Sequence, residues 1–119
     1  MSKIVTPLHY CPDNGWFGDA MPMYHNGEFH IYFNKPTRFY AERKGRGGWG
    51  HISTKDFITY TEHPDAFVYE NSKTGENFGN PVNSGCVFWG KGEWHAYYAS
   101  PDYFDHVNNV SKISIRHAV

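Results

Sequence analysis

Met23-Tyr24-His25-Asn26-Gly27-Glu28-Phe29-His30-Ile31-Tyr32-Phe33 decides the fold of this chain. Two runs of β-type residues flank Asn26-Gly27, whose members both tolerate positive φ, and that combination is the strongest short-range sign of an antiparallel hairpin. The stretch returns downstream. Gly27 to Phe33 reappears as Gly92-Glu93-Trp94-His95-Ala96-Tyr97-Tyr98, and Met23-Tyr24 as Phe88-Trp89, both displaced by 65 positions. A weaker match relates Trp49-Gly50-His51-Ile52-Ser53 to Ile115-Arg116-His117-Ala118-Val119, with His51 and His117 displaced by 66.

A unit of this length holds about four short strands, which fits a β-propeller blade better than a helical solenoid repeat. The first unit, about residues 15–70, is expected to place strands near 19–24, 29–34, 49–53 and 66–69, with a loop from Lys35 to Gly48. The second, about 82–119, offers strands near 84–89, 94–99 and 112–118 and lacks a fourth. The expected class is therefore all-β: one domain across 1–119, made of one complete and one incomplete four-stranded antiparallel blade. Known propellers close with roughly four to eight blades, so the chain is expected to be the N-terminal part of a larger whole.

Composition agrees. Among 119 residues are 9 Tyr, 9 Phe and 4 Trp with 12 Gly and 7 Pro, which favours strands joined by many turns. A formal net charge of -1 gives no bulk attraction to nucleic acid or to an anionic membrane. The first residues lack the apolar core of a signal peptide and no run reaches membrane-span length, so a cytoplasmic location is expected, with neither nucleic acid nor membrane as partner. Cys11 and Cys86 show no metal spacing and are expected to be reduced and mostly buried.

Upstream of the hairpin, Gly15-Trp16-Phe17-Gly18-Asp19-Ala20-Met21-Pro22 sets one carboxylate among aromatics and glycines at the start of a strand. This segment, with Asn26 to Phe33, Trp49-Gly50-His51-Ile52-Ser53-Thr54-Lys55-Asp56-Phe57, Glu62-His63-Pro64 and Ser84-Gly85, resembles the opening of glycoside hydrolase family 32. That family comprises β-fructosidases, invertases and levanases, built on a five-bladed propeller shared with families 43 and 68. The resemblance covers nearly the whole chain but only about the first third of the family's catalytic domain.

The resemblance implies a role for Asp19 as the nucleophile, or as the general base if the reaction inverts. Glycoside cleavage needs two carboxyl groups, one to protonate the leaving oxygen and one to attack the anomeric carbon or activate water. It also implies an apolar wall of Trp16 and Trp49 against the sugar ring, the alternative for both being blade core. Asn34 lies near a substrate-contacting Gln of the family, and Ser84 with Gly85 matches its second-blade strand start, a simple turn being the alternative. Around Asp19 the chain departs from the family motif: Gly18 replaces Asn, and Ala20 and Met21 replace Pro and Asn. The family's Arg-Asp-Pro motif and its Glu-Cys motif, which carries the general acid, do not occur in this sequence.

Of the eight histidines no pair has helical metal spacing, and His30 and His95 occupy equivalent strand positions, so they are read as structural. No catalytic metal and no cofactor are expected. Arg38, Arg43, Lys44 and Arg46 crowd a Gly-rich loop without an aromatic stacking platform, the pattern of a solvated loop. Two rivals to the hydrolase reading stand: a carbohydrate-binding module that does not cut, and a protein that self-associates through open blade edges.

Overall fold

A computed structural model describes residues 2–4, 10–11, 17–35, 46–70, 83–105, 107–108 and 110–119. Trp16, Arg38, Arg43, Lys44 and Glu76 lie outside these residues, as do the side chains of Arg46 and Glu70. The chain is all-β, and its strands form two antiparallel sheets, partial propeller blades. The strands are β1 (Ser2–Ile4), β2 (Gly18–His25), β3 (Glu28–Asn34), β4 (Arg46–Thr54), β5 (Thr59–Glu70), β6 (Gly85–Gly90), β7 (Glu93–Asp105) and β8 (Val110–Ala118). The first sheet runs β1-β5-β4-β3-β2 and the second β6-β7-β8.

Both repeated hairpins form as the sequence predicts. Asn26 (φ 49) and Gly27 (φ 80) turn the first, and Lys91 (φ 51) and Gly92 (φ 85) turn the second. These are the left-handed backbone values that two-residue hairpin turns require.

Three expectations are corrected. The first sheet has five strands rather than four, because Ser2–Ile4 pairs with Thr59–Thr61 at its outer edge. The strand expected at 66–69 begins already at Thr59; Pro64, which has no amide donor, falls where the β4–β5 pairing shifts register between Trp49 and His51. Cys11 and Cys86 are exposed rather than buried. Cys86 stands 65 positions after Met21, which is buried, but its face of the second sheet has no layer over it among the described residues.

Packing between the sheets fixes their arrangement. Met21, Tyr32 and Trp49 of the first sheet share a core with Ala96, against which Phe67, Val87 and Tyr98 also pack. On the other face of the first sheet, Phe33, Ile52 and Tyr60 form a second cluster, closed by Tyr10 and Ile31. Gly50 is required there, because a Cβ at this position would lie 2.3 Å from the Phe33 ring. Phe17 stacks on Phe33 with centroids 4.3 Å apart, anchoring the chain two residues before Asp19.

Candidate active site

Asp19 enters the site through a backbone irregularity. Gly18 pairs with Asn34 and Ala20 with Phe33, so Asp19 is the extra residue of a β-bulge, with φ 27. Bulges re-aim side chains next to active sites, and Asp is among the few non-glycine types that tolerate the left-handed region. Here the bulge takes Asp19 out of the alternation of β2, and its carboxylate is exposed.

Two residues from distant parts of the chain meet that carboxylate. Asn34, at the end of β3, donates from Nδ2 to Asp19 Oδ2 at 3.2 Å and to Ser84 Oγ at 2.9 Å. Ser84 Oγ in turn donates to Asp19 Oδ2. The three form a closed polar triangle that joins β2, β3 and the start of β6. With both amide hydrogens directed at oxygens, the orientation of Asn34 is fixed, since a flipped amide would set its oxygen against the carboxylate. Asn34 Oδ1 is buried and has no hydrogen-bond partner among the described residues. A buried acceptor in that condition calls for a donor beyond the described residues, such as an ordered water.

Ser84 stands 65 positions after Asp19, the displacement of the hairpin repeat. The two units therefore contribute the same strand-start position to one corner, a carboxylate from the first and a hydroxyl from the second. Gly85, next to it, admits no side chain: a Cβ would lie 1.9 Å from Tyr97 O. Its amide also contacts Met21 Sδ at 3.0 Å, so this close approach seats β6 against the first sheet.

Of the five residues expected to form the site, Asp19, Asn34 and Ser84 are brought together. Trp16 is outside the described residues. Trp49 is 0 % exposed and belongs to the core, so of its two readings the structure places it in the blade interior. Its Nε1 donates to Asn83 O at 3.0 Å, and Asn83 N donates to Ala99 O. Trp49 thus supports the site from beneath by holding the residue that precedes Ser84.

Two further carboxylates, Asp56 and Asp65, are engaged elsewhere. Asp56 Oδ1 accepts from the Ile58 and Thr59 amides at 2.9 and 2.8 Å, and these bonds hold its carboxyl below the usual carboxylate range. It caps the turn after β4, at the opposite end of that strand from Trp49. Asp65 pairs with Lys35 Nζ at 3.0 Å.

One cluster was missed by reading the sequence. His30, His51 and His63, on β3, β4 and β5, each bring a ring nitrogen within 4.8 Å of the others. Their sequence spacings carry no helical metal signal because strands, not helix turns, juxtapose them; register supplies the contact, with His51 opposite His63. Burial, then repulsion from His63 and His30, pushes His51 down to about 3. Burial also lowers His30, against the opposing pull of Glu28. The Ser53 hydroxyl holds the Glu28 carboxyl below its ordinary value, donating to Oε1 at 2.7 Å, and the nearby His30, Lys55 and His63 act in the same direction.

Two antiparallel sheets thus bring a carboxylate, an amide and a hydroxyl together where they meet. Residues 9–115 match the glycosyl hydrolases family 32 N-terminal domain, and the chain belongs to that family. It is 30% identical over 78 residues to an invertase of Wickerhamomyces anomalus, covering 63% of this chain and 14% of that protein. It is 32% identical over 66 residues to a levanase of Bacillus subtilis, covering 55% and 9%, and 33% identical over 81 residues to a fructan beta-fructosidase of Streptococcus mutans, covering 66% and 5%. The chain thus spans at most about a seventh of the length of these relatives.

Proposed function

We propose that this chain is the N-terminal part of a glycoside hydrolase acting on fructosides, in which Asp19 attacks the anomeric carbon or, in an inverting reaction, activates water. The observation that carries the reading is the Asp19–Asn34–Ser84 triangle. Two donors on a single oxygen, Oδ2, orient the carboxylate and leave Oδ1 to act on the sugar. A carboxylate held in one rotamer reaches the transition state with less reorganisation than a mobile one.

Asn34 and Ser84 act as positioning residues. The relatives named invertase, levanase and fructan beta-fructosidase supply the substrate class, a fructoside.

The reaction needs a second carboxyl group as acid, and none stands beside Asp19 among the described residues with that role free. Sucrose or levan has a poor leaving group, so the chain assayed by itself should release no fructose. Fructose release that is lost on Asp19→Ala would overturn this and show that assembled copies supply the acid. A binding module that does not cut is favoured instead if fructan binds and the binding is unchanged by Asp19→Asn together with Asn34→Ala.

A further inference from the structure

We infer that His30, His51 and His63 form a binding site for a zinc-type divalent transition metal, separate from the Asp19 corner, that ties β3, β4 and β5 together. Asn34 lies four positions beyond His30 along β3, about 13 Å at the usual rise of a strand. The site is thus at the far end of the sheet from the proposed sugar contacts.

The geometry is close to that of a ligand set. His30 Nδ1 and His51 Nε2 lie 3.0 Å apart. Two nitrogens on one tetrahedral zinc, each at about 2.0–2.1 Å from the metal, stand roughly 3.3 Å from one another, so this pair needs only a small opening. The third imidazole, with all ligand atoms inside 4.8 Å, stacks on His51 at a centroid distance of 4.2 Å and closes the set by a small shift of the ring that keeps its Nε2 on Ser53. Between His30 and His51 a single N–H is shared; on metal binding that proton moves to the outer nitrogen of the donor ring, and both rings remain neutral ligands.

The surroundings supply what such ligands require. His63 Nε2 lies 2.7 Å from Ser53 Oγ, and Ser53 donates to Glu28 Oε1. The ring therefore gives its Nε2 proton to a hydroxyl that is itself polarised by a carboxylate, leaving the other nitrogen with a lone pair. Metal-binding histidines are oriented in this way, by a second hydrogen bond that ends on a carboxylate. Glu28 brings a negative charge beside the three rings, which balances part of a divalent charge.

The second unit provides an internal control. His95 Nδ1 and His117 Nε2 repeat the 3.0 Å contact, and His95 Nε2 is held by Gly90 O at 3.0 Å, but no third histidine joins them among the described residues. Two imidazoles alone hold a metal weakly, so the first unit should bind and the second should not.

The test is titration of the purified protein with Co2+, followed by its visible d–d absorption, and then displacement by Zn2+. The inference expects a tetrahedral-type spectrum at one equivalent and an apparent Kd raised at least tenfold by His63→Asn or His51→Gln, with His117→Asn leaving it unchanged. Because His51→Gln can unfold the sheet, 15N shifts of the unsubstituted imidazoles are read as well, and Zn2+ should move those of His30, His51 and His63 together. A purely hydrogen-bonded histidine stack would give no Co2+ spectrum and no such shifts. That result, or equal loss of binding in His117→Asn, overturns the inference.

Discussion

The two sheets start from nearly the same hairpin and end differently. In both, a Tyr ring stacks on the His directly opposite it on the next strand: Tyr32 on His51 with centroids 4.3 Å apart, Tyr97 on His117 at 4.5 Å. In both, a second His meets the first at 3.0 Å. Yet in the first sheet this face is covered, with Tyr32 buried and Trp94 of β7 set edge-on against His30, whereas Tyr97 and His117 are exposed. Local sequence therefore makes the ladder of rings, and the neighbouring sheet decides whether it becomes core.

The largest effect expected from this contrast is on stability. Trp49→Ala empties a wholly buried site shared by both sheets and removes the bond to Asn83, so it should cost about 3–5 kcal/mol in denaturant unfolding. Ile115→Ala, at a position 80 % exposed in the second sheet, should change stability by no more than about 0.5 kcal/mol. Equal costs would mean that the second sheet has a core of its own. Gly85→Ala comes next: its methyl meets the backbone oxygen of Tyr97, which cannot rotate away, so about 1–3 kcal/mol should be lost together with the ordering of Ser84. Amide exchange at Ser84 as slow as in the unsubstituted chain would contradict this.

Covering also sets pH behaviour. The folded value of His51, about 3, lies below its unfolded value of 6.5, so the unfolded chain binds the extra proton between them. Stability is full above about pH 6.5 and falls as the pH drops toward 3, with a slope of at most about 1.4 kcal/mol per pH unit, lessened by solvent screening. Thermal melts across this range should show the slope, and His51→Phe should flatten it; an unchanged slope would separate His51 from the effect. The smallest expected effect is on association. Ile113, Ile115 and Val119 are 59 %, 80 % and 74 % exposed, and such a surface favours pairing with another copy. Light scattering should detect concentration-dependent association that Ile115→Lys reduces; a monomer at all concentrations would refute it.

Strand positions were legible because the alternation of apolar and polar residues and the Asn26-Gly27 turn are local signals. Asp19, Asn34 and Ser84 could be named from motifs, but their meeting could not: it depends on a bulge at Asp19 and on Gly85 letting β6 approach the first sheet. The fate of Trp49 was open for a similar reason, since an indole reads alike as sugar platform or core until the sheet that covers it is known. Cys86 was expected to be buried because free cysteines usually are, and it is exposed because its face of the second sheet has no layer over it among the described residues. The three histidines escaped notice because cross-strand register, set by the bulge in β5, brings them together.

The central claim, that Asp19 is the carboxylate that acts on the anomeric carbon, is tested most directly with β-fructosyl fluoride. Fluoride departs without a proton, so the chain needs no general acid to react with it. The account predicts fluoride release by the unmodified chain that Asn34→Ala slows and Asp19→Asn abolishes; if the reaction retains configuration, the mass of one fructosyl group appears on the peptide that holds Asp19. Fluoride release that persists at the same rate in Asp19→Asn, or none above the uncatalysed rate from the folded chain, would contradict it.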